Sequence, residues 1–207
     1  MLPLSRRALL LATPALLLPG HAFAAFALTP RATAGPFYPS EMPADDDSDL
    51  VRVEGAVREA GGDVLHLAGK VLDGAGRPFD GVRVEIWQCD AAGVYLHPND
   101  RRAARRDVAF QGFGHAETDT GGVFAFRTIV PEPYPGRTPH IHLRVATGSR
   151  ALLTTQFYRA GFPQNASDGV FSRLSPAEQE RVSMRIAPVA GAARPTFASA
   201  IEVVLTS

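Results

Sequence analysis

The stretch PYPGRTPHIHLRV, residues 133–145, decides how the rest of this sequence is interpreted. Its second half alternates with the two-residue period of a β-strand, so that His140 and His142 lie on one face and the aliphatic residues between and after them on the other. Two imidazoles on one strand face are roughly 6.5 to 7 Å apart at the backbone and can converge on one ion. The pair alone fits two buried histidines with ordinary hydrogen bonds just as well.

Further segments have the same strand-like character and are separated by turns rich in Gly, Pro and Asp. They are VLHLAGKVLD, VRVEIWQ, GGVFAFRTI, ALLTTQFY and ASAIEVVLT. Short strands with frequent turns favour an all-β fold, an antiparallel β-sandwich, over βαβ units. One short C-terminal helix is predicted after Ser175, where S-P-A-E forms a capping box with proline at the first helical position, and PAEQERVSMRI would follow it.

The chain is predicted to have three parts. Residues 1–24 combine a basic start, an apolar run and an A-x-A cleavage site, and the Arg6-Arg7 pair is typical of a twin-arginine signal, although an ordinary secretory signal is the alternative. The apolar run is interrupted and short for a stable membrane anchor. Residues 25–55 are predicted to form an irregular N-terminal arm and residues 56–207 the β-sandwich domain. These features predict a periplasmic or secreted protein.

Composition excludes some classes of function. The 21 basic and 21 acidic residues give no formal net charge, and no basic patch indicates binding to nucleic acid. Cys89 is the only cysteine, which excludes an internal disulfide. The length of 207 residues suits one domain with a substantial core once a signal is removed.

Two of the four tyrosines stand where they could join the histidines. Tyr134 lies between two prolines six residues before His140, and Tyr95 lies in a turn after the strand VRVEIWQ. A phenol has a pKa near ~10 and needs a strongly Lewis-acidic ion to bind as phenolate at neutral pH. Such hard anionic ligands favour ferric iron over zinc or cuprous copper. The alternative for each tyrosine is a buried aromatic side chain with a satisfied hydroxyl.

These residues carry a resemblance to a known family. VEIWQCDAAGVYLHPND, TDTGGVFAFRTIVPEPYPGRTPHIHLRV and LLTTQFY resemble the core of the intradiol ring-cleavage dioxygenases, most closely the protocatechuate 3,4-dioxygenase branch. GPFYP and GKVLDGAGRPFDGVRVEIWQ extend the likeness, which covers roughly residues 33–172. The ordered combination of W-Q-x-x-x-x-G-x-Y, P-Y-P and R-x-x-H-I-H is specific to that family. Residues 56–207 are therefore expected to form its catalytic domain.

The resemblance implies a cofactor and roles for particular residues. The cofactor would be a non-haem Fe(III) ion held by Tyr95, Tyr134, His140 and His142. Arg137 matches the family's active-site arginine, Gln156 a glutamine beside the iron, and Tyr134 the ligand displaced during catalysis. Pro36 and Phe37 fall where the family's N-terminal segment lines the substrate pocket, together with Arg137.

The activity implied by the resemblance is cleavage of a catechol-type ring between its two hydroxyl-bearing carbons, with O2, to a cis,cis-muconate-type diacid. The identity of the catechol and the oligomeric state stay open; the short stretch between Tyr134 and His140 indicates an open pocket. A rival hypothesis is a non-catalytic, exported transthyretin-like β-sandwich that acts as a binding module. A third keeps the fold and places copper or zinc on the histidines.

Overall fold

The computed structural model describes residues 26–206, so the predicted signal at residues 1–24 lies outside the described residues. Strands account for most of the regular structure, joined by three short 3-10 turns and one α-helix of six residues. The strands are β1 Val64–Asp73, β2 Arg83–Trp87, β3 Phe113–Glu117, β4 Val123–Ile129, β5 His140–Thr147, β6 Arg150–Arg159, β7 Ser183–Met184, β8 Ala187–Pro188 and β9 Thr196–Leu205, and the helix α1 is Pro176–Arg181.

The strands form two sheets. One has the order β4-β1-β9-β8 and the other the order β3-β2-β5-β6-β7. Most neighbouring strands are antiparallel; β1 with β9 and β6 with β7 are the parallel pairs. The prediction of an all-β sandwich with one short helix near the C-terminus is confirmed.

The structure differs from the secondary structure predicted from the sequence at two places. The strand β3 was not predicted, because FGHAE is short and lacks the β-branched residues that favour strands. The helix α1 has the predicted capping box at Ser175 but ends at Arg181. The residues Ser183–Met184, which the helical pattern included, pair with β6 instead. None of the helices in residues 26–206 has the length and apolar character needed to cross a membrane.

The inner face of the second sheet confirms the alternation predicted for β5. Ile141, Leu143 and Val145 are at most 1% exposed and belong to the main hydrophobic core between the sheets. Each such side chain contributes about 1.5 to 3 kcal/mol to folding through burial of apolar surface. This packing fixes the strand register and leaves the two histidines on the opposite, outer face.

The N-terminal arm covers that outer face. Between residues 26 and 63 the chain forms no helix or strand beyond one isolated bridge at Asp49. It is held instead by long-range hydrogen bonds to β6: Ala32 N donates to Thr154 O at 2.9 Å, and Gln156 Nε2 donates to Thr33 O at 2.9 Å. The outer face is therefore buried by irregular chain rather than by a third layer of regular structure.

Candidate metal centre and substrate cavity

The register of the second sheet assembles a row of side chains around the histidines. His142 lies opposite Gln156 of β6 on one side and opposite Trp87 of β2 on the other, and His140 lies opposite Tyr158. All five side chains are at most 1% exposed. The sequence pattern placed the histidines on one face, and strand pairing supplies their neighbours.

The two imidazoles point their Nε2 atoms at the same small volume. Nδ1 of His140 lies 2.6 Å from the carbonyl oxygen of Thr138, and because a carbonyl only accepts, Nδ1 carries the proton and Nε2 keeps its lone pair. Nε2 of His142 lies 3.2 Å from Nε2 of His140. Burial lowers the pKa of His140 to about 4, with the charge of Arg137 adding to the effect. Burial likewise holds the pKa of His142 well below its usual value. Both rings are thus neutral at pH 7, the form that binds metals.

The ring of His142 is held by stacking. The indole of Trp87 lies parallel to it, with centroids 4.8 Å apart and an interplanar angle of 9°. Tyr38 of the arm packs edge-on against the same indole, with ring centroids 4.9 Å apart. Its hydroxyl donates to Glu85 and accepts from Arg144, which anchors it on the sheet. This aromatic stack links the arm to the orientation of His142.

The loop after β2 positions Tyr95. The carboxylate of Asp90 accepts from the backbone N–H of Val94, and that of Asp100 accepts from the N–H of Tyr95 at 3.0 Å. Gly93 has φ +72°, and a Cβ there would lie 2.7 Å from the carbonyl oxygen of Pro133. Only glycine permits this approach, which brings the Tyr95 loop against the segment that carries Tyr134.

Tyr134 is presented by a tight turn. Tyr134-Pro135-Gly136-Arg137 has proline at the second position and glycine with φ +83° at the third, the requirements of a type II turn. Arg137 N donates to Tyr134 O at 2.9 Å and closes it. Both side chains leave the turn on the same side, so that Nη1 of Arg137 lies 3.4 Å from the Tyr134 hydroxyl.

The two phenols meet the two imidazoles in one cluster. Ring centroids are 5.4 Å apart for Tyr95 and Tyr134, 5.6 Å for Tyr134 and His140, and 6.4 Å for Tyr95 and His142. The Tyr95 hydroxyl is buried and makes no hydrogen bond to the described residues. Burial raises the pKa of Tyr134, and raises that of Tyr95 well above its usual value. A phenolate is therefore stable here only beside a compensating positive charge.

These donors fit a ferric ion. Two neutral imidazoles with converging Nε2 atoms and two phenols, one without a hydrogen-bond partner, leave polar atoms that a small, highly charged cation would satisfy. Within residues 26–206 no group of three or more His, Cys, Asp or Glu side chains is arranged to hold a metal. The oxygen donors of Tyr95 and Tyr134 would thus have to complete any metal site built on His140 and His142.

Arg137 is fixed by residues from two distant segments. Its Nε donates to Asp168 at 2.8 Å and its Nη2 donates to Gln156 Oε1 at 2.6 Å. The same Oε1 accepts from the Tyr158 hydroxyl at 2.8 Å. The carboxylate of Asp168 is fully buried and also accepts from the N–H of Thr138. Gln156 therefore acts on the cluster by orienting Arg137.

A cavity of about 630 Å³ opens beside the cluster. Tyr95 and Trp87 form part of its wall, as does Phe37, whose ring stacks on that of Tyr95 with centroids 4.4 Å apart. Pro36 is exposed and does not line this cavity; its carbonyl accepts from the side chain of Asn99. Of the three residues expected to contact substrate, Phe37 lines this cavity, whereas Pro36 and Arg137 do not; Arg137 lines a separate cavity of about 130 Å³.

Residues 33–193 match a protein-family model described as Dioxygenase. The beta chain of protocatechuate 3,4-dioxygenase from Burkholderia cepacia is 36% identical over 160 residues, which cover 72% of this chain and 67% of that one. The chain belongs to the intradiol dioxygenase family. Catechol 1,2-dioxygenase from Candida albicans is 30% identical over 163 residues, 70% of this chain and 51% of that enzyme. This intradiol dioxygenase chain thus spans about half to two thirds of the length of these two relatives.

Solved structures agree with the assignment. The dioxygenase domain of a carbohydrate-binding fusion protein from Streptomyces sp. SirexAA-E is 31% identical, with a TM-score of 0.66 over 87% of this chain and 99% of that one. An intradiol ring-cleavage dioxygenase from Tetranychus urticae, 23% identical with a TM-score of 0.67 over 87% of this chain and 95% of that one, shares the fold.

Sequence reasoning missed one supporting residue of this intradiol dioxygenase site, Asp168, and left the contact of another, Trp87, open. Asp168 lies in a loop 31 positions after Arg137, and no local pattern indicates that the two side chains meet. Trp87 alternates away from the core residues of β2, which signals an outward-facing position but not its stacking on His142. Both depend on contacts between segments far apart in sequence.

Proposed function

We propose that this protein is a non-haem Fe(III)-dependent intradiol dioxygenase that cleaves a catechol-type ring between its two hydroxyl-bearing carbons and yields a cis,cis-muconate-type diacid. The observation that carries the proposal is the convergence of two imidazole Nε2 atoms, 3.2 Å apart, with one buried and one partly buried phenol. A transthyretin-like binding module has no need for this cluster. A twin-arginine signal at residues 1–24 would place the enzyme in the periplasm or outside the cell.

Iron would be held by the two phenolates and two imidazoles, and when bound it supplies a Lewis-acidic centre at which a catechol can chelate and react with O2. The ligands would be Tyr95, Tyr134, His140 and His142. Trp87 and the carbonyl of Thr138 keep the imidazole rings in the orientation that presents Nε2.

Binding of a catechol requires acceptors for its hydroxyl protons, and Tyr134 Oη is the protein atom suited to take one. Tyr134 is only partly buried and its oxygen faces Arg137, whereas Tyr95 is 2% exposed and stacked beneath Phe37. Tyr134 can therefore become a neutral phenol without leaving an unpaired buried oxygen. Tyr95 remains the fixed ligand.

Arg137 would stabilise the negative charge that develops on the substrate ring. Its guanidinium is fixed by Asp168 and Gln156 before substrate arrives, so little reorganisation is needed during the reaction. In the neighbouring cavity of about 630 Å³, the aromatic walls formed by Phe37 and Trp87 would offer flat surfaces to a planar ring.

The test is the visible spectrum and iron content of the purified protein, before and after anaerobic addition of catechol. We expect about one iron per chain and a tyrosinate-to-iron charge-transfer band that shifts with catechol; subsequent admission of O2 should consume the catechol and form a diacid. The variant His142→Ala should lose iron and colour. The matched control His66→Ala removes an exposed histidine of β1 and should keep both. A protein that stays colourless after ferric reconstitution would support the binding-module hypothesis instead.

A further inference from the structure

The two candidate histidine ligands are held in different ways. Nδ1 of His140 lies 2.6 Å from the carbonyl oxygen of Thr138, whereas Nδ1 of His142 is buried and has no hydrogen-bond partner among the described residues. A metal-binding histidine usually donates its second ring N–H to an acceptor, which fixes the direction of the nitrogen that binds the metal. The orientation of the His142 ring must therefore come from packing.

This packing is provided by Trp87, whose indole lies parallel to the imidazole of His142 at a centroid distance of 4.8 Å. The indole Nε1 is also buried and makes no hydrogen bond within residues 26–206, so the indole too is positioned by its contacts. One of these contacts is Tyr38, whose ring meets the indole edge-to-face at an angle of 82°. The position of the imidazole thus depends on the indole, and that of the indole in part on Tyr38.

Tyr38 itself is fixed by its hydroxyl. The hydroxyl donates to Glu85 Oε2 at 3.0 Å and accepts from Arg144 Nη1 at 2.7 Å. The guanidinium of Arg144 also lies 5.3 Å from the centroid of the Tyr38 ring, within the range of a cation–π contact. Glu85 is 5% exposed, and its other oxygen accepts from Arg83 Nε at 2.9 Å. Hydrogen bonds to such ionised groups are stronger than those between neutral groups.

The register of the sheet lets one side chain make both sets of contacts. In the pairing of β2 with β5, Glu85 lies opposite Arg144, and Trp87 lies opposite His142. Residues two apart on a strand face the same side, so these two cross-strand pairs are neighbours on the outer face of the sheet. Tyr38 bridges them, with its hydroxyl at the charged pair and its ring on the indole. The charged pair is therefore connected to the candidate metal centre through one tyrosine.

We propose that Tyr38 is a positioning residue of the metal centre. It keeps Trp87 stacked on His142 and so keeps the imidazole Nε2 directed at the iron. A tilt of the imidazole would turn Nε2 off the line to the metal and weaken the bond. The aromatic contact takes the place of the hydrogen bond that Nδ1 of His142 lacks. This inference rests on the proposed function, because it assigns His142 to iron.

The first test measures iron affinity by competition with a chelator. It also records the electron paramagnetic resonance spectrum of the ferric protein, which reports the symmetry of the ligands around the ion. Tyr38→Leu removes the ring and should alter this spectrum and lower the iron affinity about tenfold, as for loss of a group that orients a metal ligand. Tyr38→Phe keeps the ring and loses only the hydroxyl, so its iron affinity should return to within about threefold of wild type.

The control for both measurements is Thr155→Val. It removes the hydroxyl that donates to Pro30 O at 2.8 Å and holds the arm on β6, but it leaves the side chains of the aromatic stack in place. We expect wild-type iron affinity and a wild-type resonance spectrum. An equal loss of iron affinity in Thr155→Val and Tyr38→Leu would mean that any loosening of the arm has this effect, and would overturn the role of Tyr38.

The second test needs no iron, because Trp87 is the only tryptophan in the sequence and its fluorescence reports the stack directly. The indole is 1% exposed in the folded chain. We expect the emission maximum of Tyr38→Leu to shift to longer wavelength as the indole gains contact with water. The maxima of Tyr38→Phe and Thr155→Val should match that of wild type. An unchanged maximum in Tyr38→Leu would show that Tyr38 does not hold the indole, and would overturn the proposal.

A further variant keeps the tests decisive if Tyr38→Leu does not fold. Arg144→Gln removes the cation at the Tyr38 hydroxyl while Glu85 keeps its pair with Arg83, and it should lower the iron affinity about threefold. Wild-type iron affinity and a wild-type resonance spectrum in Tyr38→Leu, or in Arg144→Gln where it replaces that variant, would overturn the role of Tyr38. Absence of iron binding by the wild type would instead overturn the proposed function, and this inference with it.

Discussion

At the level of single residues, the site depends on side chains that orient other side chains. Arg137 touches the Tyr134 hydroxyl, yet Asp168 and Gln156 determine where its guanidinium lies. Asp168 in turn accepts from the backbone N–H of Phe171 in its own loop and from that of Thr138, and so ties the loop after β6 to the turn before β5. One buried carboxylate thus couples a loop conformation to the position of a charge beside the candidate metal centre.

The first prediction concerns that charge. Arg137→Ala should retain iron and its visible band, because Arg137 is not among the proposed ligands, while kcat falls by about 10² to 10³, the range for loss of one preorganised electrostatic group. The measurements are iron content, the spectrum and steady-state O2 uptake. Arg173→Ala, at an exposed arginine, is the control and should keep wild-type kcat. Unchanged turnover in Arg137→Ala would remove the proposed role.

At the level of elements, strand β5 supplies the two histidines and two segments outside the named strands supply the two tyrosines. The type II turn at residues 134–137 and the loop around Tyr95 meet at Gly93. The N-terminal arm closes the cluster from outside: Gly35, with φ +68°, lies so near the sheet that a Cβ there would be 3.4 Å from Cε1 of His142. The arm is therefore part of the site as well as a cover for the sheet.

The second prediction tests this contact. Gly35→Ala and Gly55→Ala both place an alanine at positive φ, +68° and +76°, and each should lose about 1 kcal/mol of stability. A Cβ at Gly55 meets no atom within 4 Å, whereas that at Gly35 would contact the His142 ring, 3.4 Å from Cε1 and 3.9 Å from Nε2. Only Gly35→Ala is expected to weaken iron binding and shift the charge-transfer band. Denaturant unfolding and a chelator competition measure the two effects, and equal iron affinity in both variants would contradict the contact.

At the level of the whole molecule, stability is shared between the apolar core and a few buried charges. Burial by itself raises the pKa of Asp168, but hydrogen bonds from Phe171 N, Arg137, Thr138 N and Val170 N outweigh it and hold that pKa below its usual value. In the unfolded chain the same carboxyl titrates near ~3.9. The ionised form therefore stabilises the fold.

The third prediction follows from the lowered pKa of Asp168 in the folded protein. The folded pKa lies below the unfolded one, so the contribution of Asp168 is complete above about pH 5 and is lost as pH falls through the folded pKa. Asp168→Asn should lower the free energy of unfolding by about 2 to 4 kcal/mol at pH 7. The difference in unfolding free energy from wild type should shrink below about pH 4. Denaturant unfolding from pH 7 to pH 3 measures this. The control Glu180→Gln breaks the exposed pair with Arg185, 67% and 80% exposed, and should cost less than about 1 kcal/mol. If the loss of unfolding free energy in Asp168→Asn does not change with pH, ionised Asp168 does not stabilise the fold as proposed.

The sequence by itself determined the features that depend on local periodicity. Alternation placed His140 and His142 on one strand face and their neighbours in the core, and turn residues divided the chain into the strands of a sandwich. The capping box at Ser175 and the turn around Tyr134 are likewise local, and the ordered motifs identified the family.

The tertiary structure decided what depends on distance and burial. The approach of Tyr95 to Tyr134, the stacking of Trp87 on His142 and the pairing of Asp168 with Arg137 join segments whose separation in space is set by sheet register and long-range packing. The lowered histidine pKa values and raised tyrosine pKa values also follow from burial, which no residue acquires until the two sheets and the arm close around it.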